Sequence, residues 1–138
     1  MHDSGTNKWD MISEERTREV AILELEHLLA SAVQLRSLMR STEGRYRRVL
    51  KILRQGTVVS KALDDVHAGA ARLALTEALA SFELRRHRSR LALIAAGLAE
   101  GMTIGELSRA WGFSRQLGSR YAKEARGQLE VAGSASGH

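Results

Sequence analysis

The stretch GMTIGELSRAWGFSRQLGSRYAKEARG, Gly101 to Gly127, has the pattern of two short helices joined by a tight turn. Thr103 is placed to cap the first helix, its hydroxyl accepting from a backbone N–H that the helix itself leaves unpaired. Glu106, three residues on, is the matching capping-box residue. Ile104, Leu107 and Trp111 recur at three- and four-residue steps, which gives this helix one buried face. Gly112 falls where the helix must stop, a position that favours the left-handed backbone conformation glycine adopts at least cost. Phe113 fills the corner, and Ser114 opens a second helix as its N-cap. On that second helix Leu117 and Tyr121 point inward, while Arg115, Gln116, Ser119, Arg120 and Lys123 point outward.

The Glu106-Leu107-Ser108 step, the Trp111-Gly112-Phe113 turn and the Ser114-Arg115-Gln116 opening together resemble the helix-turn-helix of bacterial and phage transcription regulators. The resemblance implies that the second helix lies in the DNA major groove with its first residues at base edges. Carried over position by position, the base readers are Ser114, Arg115, Gln116, Ser119 and Arg120. Arginine suits guanine O6 and N7, and glutamine suits adenine N6 and N7, because each can make two hydrogen bonds to one base. Two positions depart from the family pattern. Ser108 stands where alanine is usual, a harmless exchange of small residues. Gly118 stands where a β-branched residue normally packs into the turn, so either Leu117 takes over the filling or the second helix is looser. A glycine inside a helix costs about 1 kcal/mol relative to alanine.

The chain around this stretch has 138 residues, enough for one domain or one small domain with an appendage. It is 43% apolar but has only two each of Trp, Tyr and Phe, so its core is aliphatic. No proline and few β-branched runs point to an all-α fold. The absence of cysteine excludes a disulfide framework and a thiolate zinc site, and fits a reducing cytoplasm. No apolar run is long enough to span a bilayer, and MHDSGTNKWDM lacks the basic head and apolar stretch of a secretion signal. The formal charge of +5 favours a polyanionic partner. Acidic residues outnumber basic ones in the first forty positions, so the positive charge belongs to the later part that holds the reader.

Before the reader the sequence is helical throughout. A long helix is expected from Ser13, with Glu14, Glu15 and Glu19 favourable near its positive end. Leu25, Leu28, Ala32, Leu35 and Met39 step along it as a heptad seam, the expected surface for self-association, and a helix this long must be covered either by a second copy or by the chain's own later helix. Ser41 to Gly44 either breaks the helix or bends it; the break is preferred, with a new helix from Arg45 that buries Tyr46, Val49, Leu50 and Leu53. Ser60 is the expected cap of a third segment with Leu63 and Val66 inward, and His67-Ala68-Gly69 a joint. From about Ala70 to Glu100 the chain reads as one helix, whose end packs behind the reader as the first helix of a trihelical unit. Arg86 and Arg90, in the basic run before that end, are expected to grip phosphates together with Thr103 and Lys123.

Catalysis finds no support: the five histidines form no metal-ligand pair and no glycine-rich phosphate loop follows a strand. Serine recombinases carry a similar C-terminal segment, but their α/β catalytic domain has no counterpart in this helical chain. No cofactor or metal is expected. The organisation expected is a disordered start (residues 1–12), a helical oligomerisation region (13–90), a trihelical DNA-binding unit (91–127) and a disordered tail (128–138). The function expected is that of a dimeric, sequence-specific transcription regulator on double-stranded DNA, cytoplasmic and nucleoid-associated, with no membrane partner. Two alternatives stand beside it. One is a helical adaptor for another protein, such as RNA polymerase or a scaffold partner; the other is a nonspecific nucleoid or partition protein.

Overall fold

The computed structural model describes the backbone of residues 8–136 and the side chains of residues 13–128. Five helices follow one another: α1 (Lys8–Arg54), α2 (Val59–Asp65), α3 (Ala68–Ala99), α4 (Ile104–Trp111) and α5 (Arg115–Ser136). The described residues hold no strand, and the chain is all-α. Of the two ends expected to lack order, residues 1–7, 137 and 138 lie outside the described residues. Within the described part, α1 is already helical from Lys8 and α5 continues to Ser136.

The expected break at Ser41 to Gly44 does not occur; α1 runs through it. The reason lies in the rhythm of burial. Buried or half-buried positions recur at 28, 31, 35, 38, 42, 45, 49 and 52, alternating three- and four-residue steps without interruption. That is the 3.5-residue period of a helix kept in contact with a neighbour along its length. Thr42 sits on the seam and donates its hydroxyl to the Leu38 carbonyl one turn back, 2.9 Å, within the helix. Gly44 is exposed with open space around it, so it carries only its intrinsic helix cost of about 1 kcal/mol.

The helices divide into two compact units. One is His27–Arg85, a hairpin in which α1 runs out and α3 returns. Arg85 Nη1 donates to His27 Nδ1 at 3.3 Å, and Arg48 Nε donates to Asp65 beside the connecting α2. Facing positions on α3 (68, 71, 75, 78, 82 and 85) keep the same rhythm, and three of the six are alanine. Ala62 and Val66 are buried in the connection, but Leu63 is 45% exposed rather than inward. Nor does Ser60 cap α2: the N-cap is Val58, without a side-chain hydrogen bond. His67 turns the chain with φ of 51°, at the joint expected there.

The hairpin corrects one expectation about which side chains face inward, the buried face read for Tyr46, Val49, Leu50 and Leu53. Val49 is half-buried, but Tyr46, Leu50 and Leu53 are exposed. The five-residue seam also divides. Leu28 and Leu35 take half-buried seam positions and Ala32 is half-buried, whereas Leu25 and Met39 are each 40% exposed. The apolar face of α1 is wide enough for two adjacent stripes, and the expected seam mixed them.

The second unit gathers the described residues up to Glu26 and those from Arg86 onward. The end of α3 is its centre.

Candidate nucleic-acid interface

Past Arg90 the polar run RRHRSR of α3 gives way to small and apolar residues, and Leu91 and Ile94 are almost completely buried. They form one core with Ala95, with Leu107 of α4, and with Ala122 and Ala125 of α5; Leu98, Met102, Ile104, Phe113 and Tyr121 pack around it. Ala21 of α1 covers the opposite face of α3 at Ala92 and Ala96, and Arg18 pairs with Glu100 at 3.1 Å.

α4 begins as its sequence dictates. The Glu106 N–H donates to Thr103 Oγ1 at 3.1 Å, and the Thr103 N–H donates to Glu106 Oε1 at 2.9 Å, a reciprocal capping box. These bonds from Thr103, aided by the Arg109 charge and opposed by slight desolvation, hold the Glu106 carboxyl below its ordinary pKa. α4 ends at Gly112, whose φ is 77°. The Phe113 N–H then reaches back to the Ser108 carbonyl at 2.9 Å, the six-to-one bond that closes a left-handed helix end. Ser114 caps α5, its Oγ accepting from the Leu117 N–H at 3.1 Å.

The two departures from the expected pattern explain each other. Gly118 is buried directly against α4. A Cβ there would overlap the Ser108 hydroxyl and lie 3.2 Å from Ser108 Cβ and 3.6 Å from Ile104 Cγ2. The larger residue on α4 is therefore matched by the smallest on α5. α5 is neither loosened nor filled in by Leu117; it is drawn close.

An aromatic brace fixes the turn. Trp111 stacks on Phe113 with centroids 5.7 Å apart, and Phe113 meets Tyr121 at 5.1 Å. The Arg90 guanidinium lies over the Tyr121 ring at 5.0 Å, and its Nη1 donates to Tyr121 Oη at 3.1 Å and to His87 Nδ1 at 3.3 Å. His87 Nε2 in turn donates to Glu124 Oε2 at 2.7 Å. The brace joins α3 to α5 through residues more than thirty positions apart, and no local spacing in the sequence announces it. Arg90, expected at a phosphate, is half-buried in this brace, while Arg86 is exposed.

Every residue expected to read bases is exposed: Ser114, Arg115, Gln116, Ser119 and Arg120. Positions 115, 119 and 123 follow one line along α5, and 116 and 120 the line beside it, so the set shares one face. The opposite face holds Leu117, Gly118, Tyr121, Ala122 and Ala125, all buried or half-buried. Ser114 uses its oxygen as the cap, which leaves its proton to donate elsewhere. Thr103 and Lys123 are exposed as well, and a shallow groove between the starts of α4 and α5 is lined by Thr103, Gly105, Ser108, Arg109, Phe113 and Arg115. Arg109, at the last turn of α4, adds a further cation to this side. The arrangement presents the planar groups of Arg115, Gln116 and Arg120, with Ser119 and Lys123, on one exposed face of the helix.

Among the described residues no cluster of His, Asp and Glu could hold a metal, and no helix is long and apolar enough to cross a membrane. No protein-family model, curated protein or solved structure matches the chain.

Proposed function

We propose that the protein is a sequence-specific DNA-binding regulator that works as a dimer, with α5 in the major groove. The observation that carries the reading is the division of α5 into two faces. One is buried on α3 and α4, and the other offers Arg115, Gln116, Ser119, Arg120 and Lys123 to a partner. A solvated helix face is also polar, but this one sets arginine and glutamine, the side chains best suited to guanine and adenine edges, at the start of the second helix of the pair. Arg115 and Gln116 stand in the first turn, the end of a recognition helix that meets bases. Arg86 and Lys123 serve as phosphate contacts in this reading. Arg90 holds the brace instead.

Self-association follows from affinity. One recognition helix buries little surface on DNA, and a linked second reader makes the second contact intramolecular. A two-fold dimer recognises an inverted repeat. The test is retention of fragmented genomic DNA on the purified protein at about physiological salt, followed by sequencing. The expected result is an inverted repeat whose recovery is lost in the Arg115→Ala/Arg120→Ala variant. Uniform retention that disappears with modest added salt would instead mark a nonspecific coating protein. No retention would overturn DNA binding altogether.

A further inference from the structure

Within the hairpin unit, a second stripe runs along α1 beside the positions that face α3. Leu29, Met39, Tyr46 and Leu50 lie on it and are between 40% and 66% exposed. Ala32, Arg36 and Glu43 complete it, and the steps are three and four residues throughout, the rhythm of a seam that meets another helix. From Leu29 to Leu50 it covers about 32 Å at 1.5 Å per residue.

The two charges within the stripe select what fits. Taken in reverse order, the stripe maps onto itself about Met39. Leu29 falls opposite Leu50, Ala32 opposite Tyr46, Arg36 opposite Glu43, and Met39 opposite its own copy. Two antiparallel copies thus bring Arg36 to Glu43 twice and set the smallest side chain against the largest. Two parallel copies would place Arg36 on Arg36 and Glu43 on Glu43 inside an apolar seam, where like charges are costly. Glu43 already holds Arg47 at 3.4 Å across an exposed pair, a weak bond that leaves acceptor capacity for a second guanidinium. Arg40 flanks the stripe and meets its own copy near the axis. That approach is at a solvated edge, where screening keeps its cost small.

We propose that the stripe is covered by a second copy of this chain, docked with α1 antiparallel to α1 and the two-fold axis beside Met39. The inference rests on the self-association in the proposed function and is independent of whether DNA is the ligand.

The chain contains no cysteine, so introduced thiols report the arrangement directly. In the full-length protein without DNA, Met39→Cys crosslinks to itself with a short thiol reagent. Leu29→Cys and Leu50→Cys crosslink when mixed and not separately. Arg36→Glu weakens the dimer about tenfold by sedimentation equilibrium, and Arg36→Glu/Glu43→Arg restores it. Crosslinking of Leu29→Cys and Leu50→Cys each with itself, with no gain on mixing, would overturn the antiparallel seam and leave the dimer standing. A monomer at tens of micromolar would overturn both. An antiparallel dimer that ignores DNA would confirm the seam and remove the DNA reading. Far-UV circular dichroism verifies that the exposed substitutions leave the helices intact.

Discussion

α3 passes through both units with one rhythm of inward positions and two outcomes. Before Arg86 its inward residues Ala71, Leu75, Ala78, Phe82 and Arg85 are only half-buried. After it, Leu91, Ala92, Ile94, Ala95, Ala96 and Gly97 are buried. The difference is the number of elements that cover the helix. In the hairpin one helix and a short connection face it; in the other unit α4, α5 and the start of α1 do. Apolar pattern decides which way a side chain points, and the number of neighbours decides how much water it loses. Truncations measure this directly. Ile94→Ala should cost about 2–5 kcal/mol, the range for a fully buried aliphatic side chain. Phe82→Ala removes a larger but half-exposed group and should cost roughly 1–2 kcal/mol. Both are read from urea denaturation at low protein concentration. A larger loss for Phe82→Ala would break the contrast, and would mean that the hairpin is covered in solution by more than its own chain.

The second contrast is between the two helix contacts of α4. On α3 it packs through flexible side chains: a Cβ on Gly97 would come closest to Leu107 Cδ2 of α4 and to Met102 Sδ just before it, at 2.9 and 3.0 Å, both ends of side chains that can move aside. On α5 it meets Gly118 with the Ser108 Cβ, which is fixed to the backbone, and with the Ser108 hydroxyl, which can leave only by changing rotamer in a closely packed site. Gly118→Ala should therefore destabilise by about 1–3 kcal/mol, the usual cost of overpacking. Gly97→Ala should cost less than that. The Ser108 hydroxyl is buried without a hydrogen-bond partner in the structure. Ser108→Ala should raise stability by about 1 kcal/mol by removing that orphaned group. It should recover part, not all, of the Gly118→Ala loss, because the Cβ of residue 108 remains only 3.2 Å away. Thermal melts of the two single variants and the double form a cycle, and simple additivity would show that the two residues do not press on each other.

The same contrast separates what the sequence carried from what it did not. The α4 cap, the Gly112 turn and the inward and outward sides of α5 were legible because each depends on residues within four positions of one another. Thr103 with Glu106, and Ser114 with Leu117, are contacts of that kind. The Ser108–Gly118 contact spans ten positions and the Arg90–Tyr121 contact thirty-one, so neither leaves a local spacing. Arg90 looked like any other member of a basic run, and only the fold places it over an aromatic ring. In the hairpin, Ser41 to Gly44 has the residues of a break, yet the seam carries α1 through. Tertiary packing outweighs about 1 kcal/mol of glycine propensity. Tyr46 and Leu50 are exposed where the pattern buries them, because one helix carries two apolar stripes, and periodicity alone does not say which one α3 occupies.

At the small end of the scale is the α4 cap, where a local contact can be separated from the core it supports. Thr103→Ala removes the hydroxyl that accepts from the Glu106 N–H and should cost about 1 kcal/mol. The capping box adds a pH dependence of definite sign. The bonds from Thr103 favour the ionised Glu106, so its carboxyl titrates lower in the folded chain than in the unfolded one. A lowered folded pKa means that the unfolded state binds the proton more readily. The contribution is complete above the unfolded value near 4.5 and is lost as pH falls through the folded one. Glu106→Gln keeps the hydrogen-bonding shape of the box without the titration. The difference in denaturation midpoint between the protein and Glu106→Gln should be constant from pH 7 to about 5 and shrink below it. A difference that grows on acidification would reverse the assigned sign. One that never changes would mean that the carboxylate charge adds nothing beyond the hydrogen bond an amide can also make.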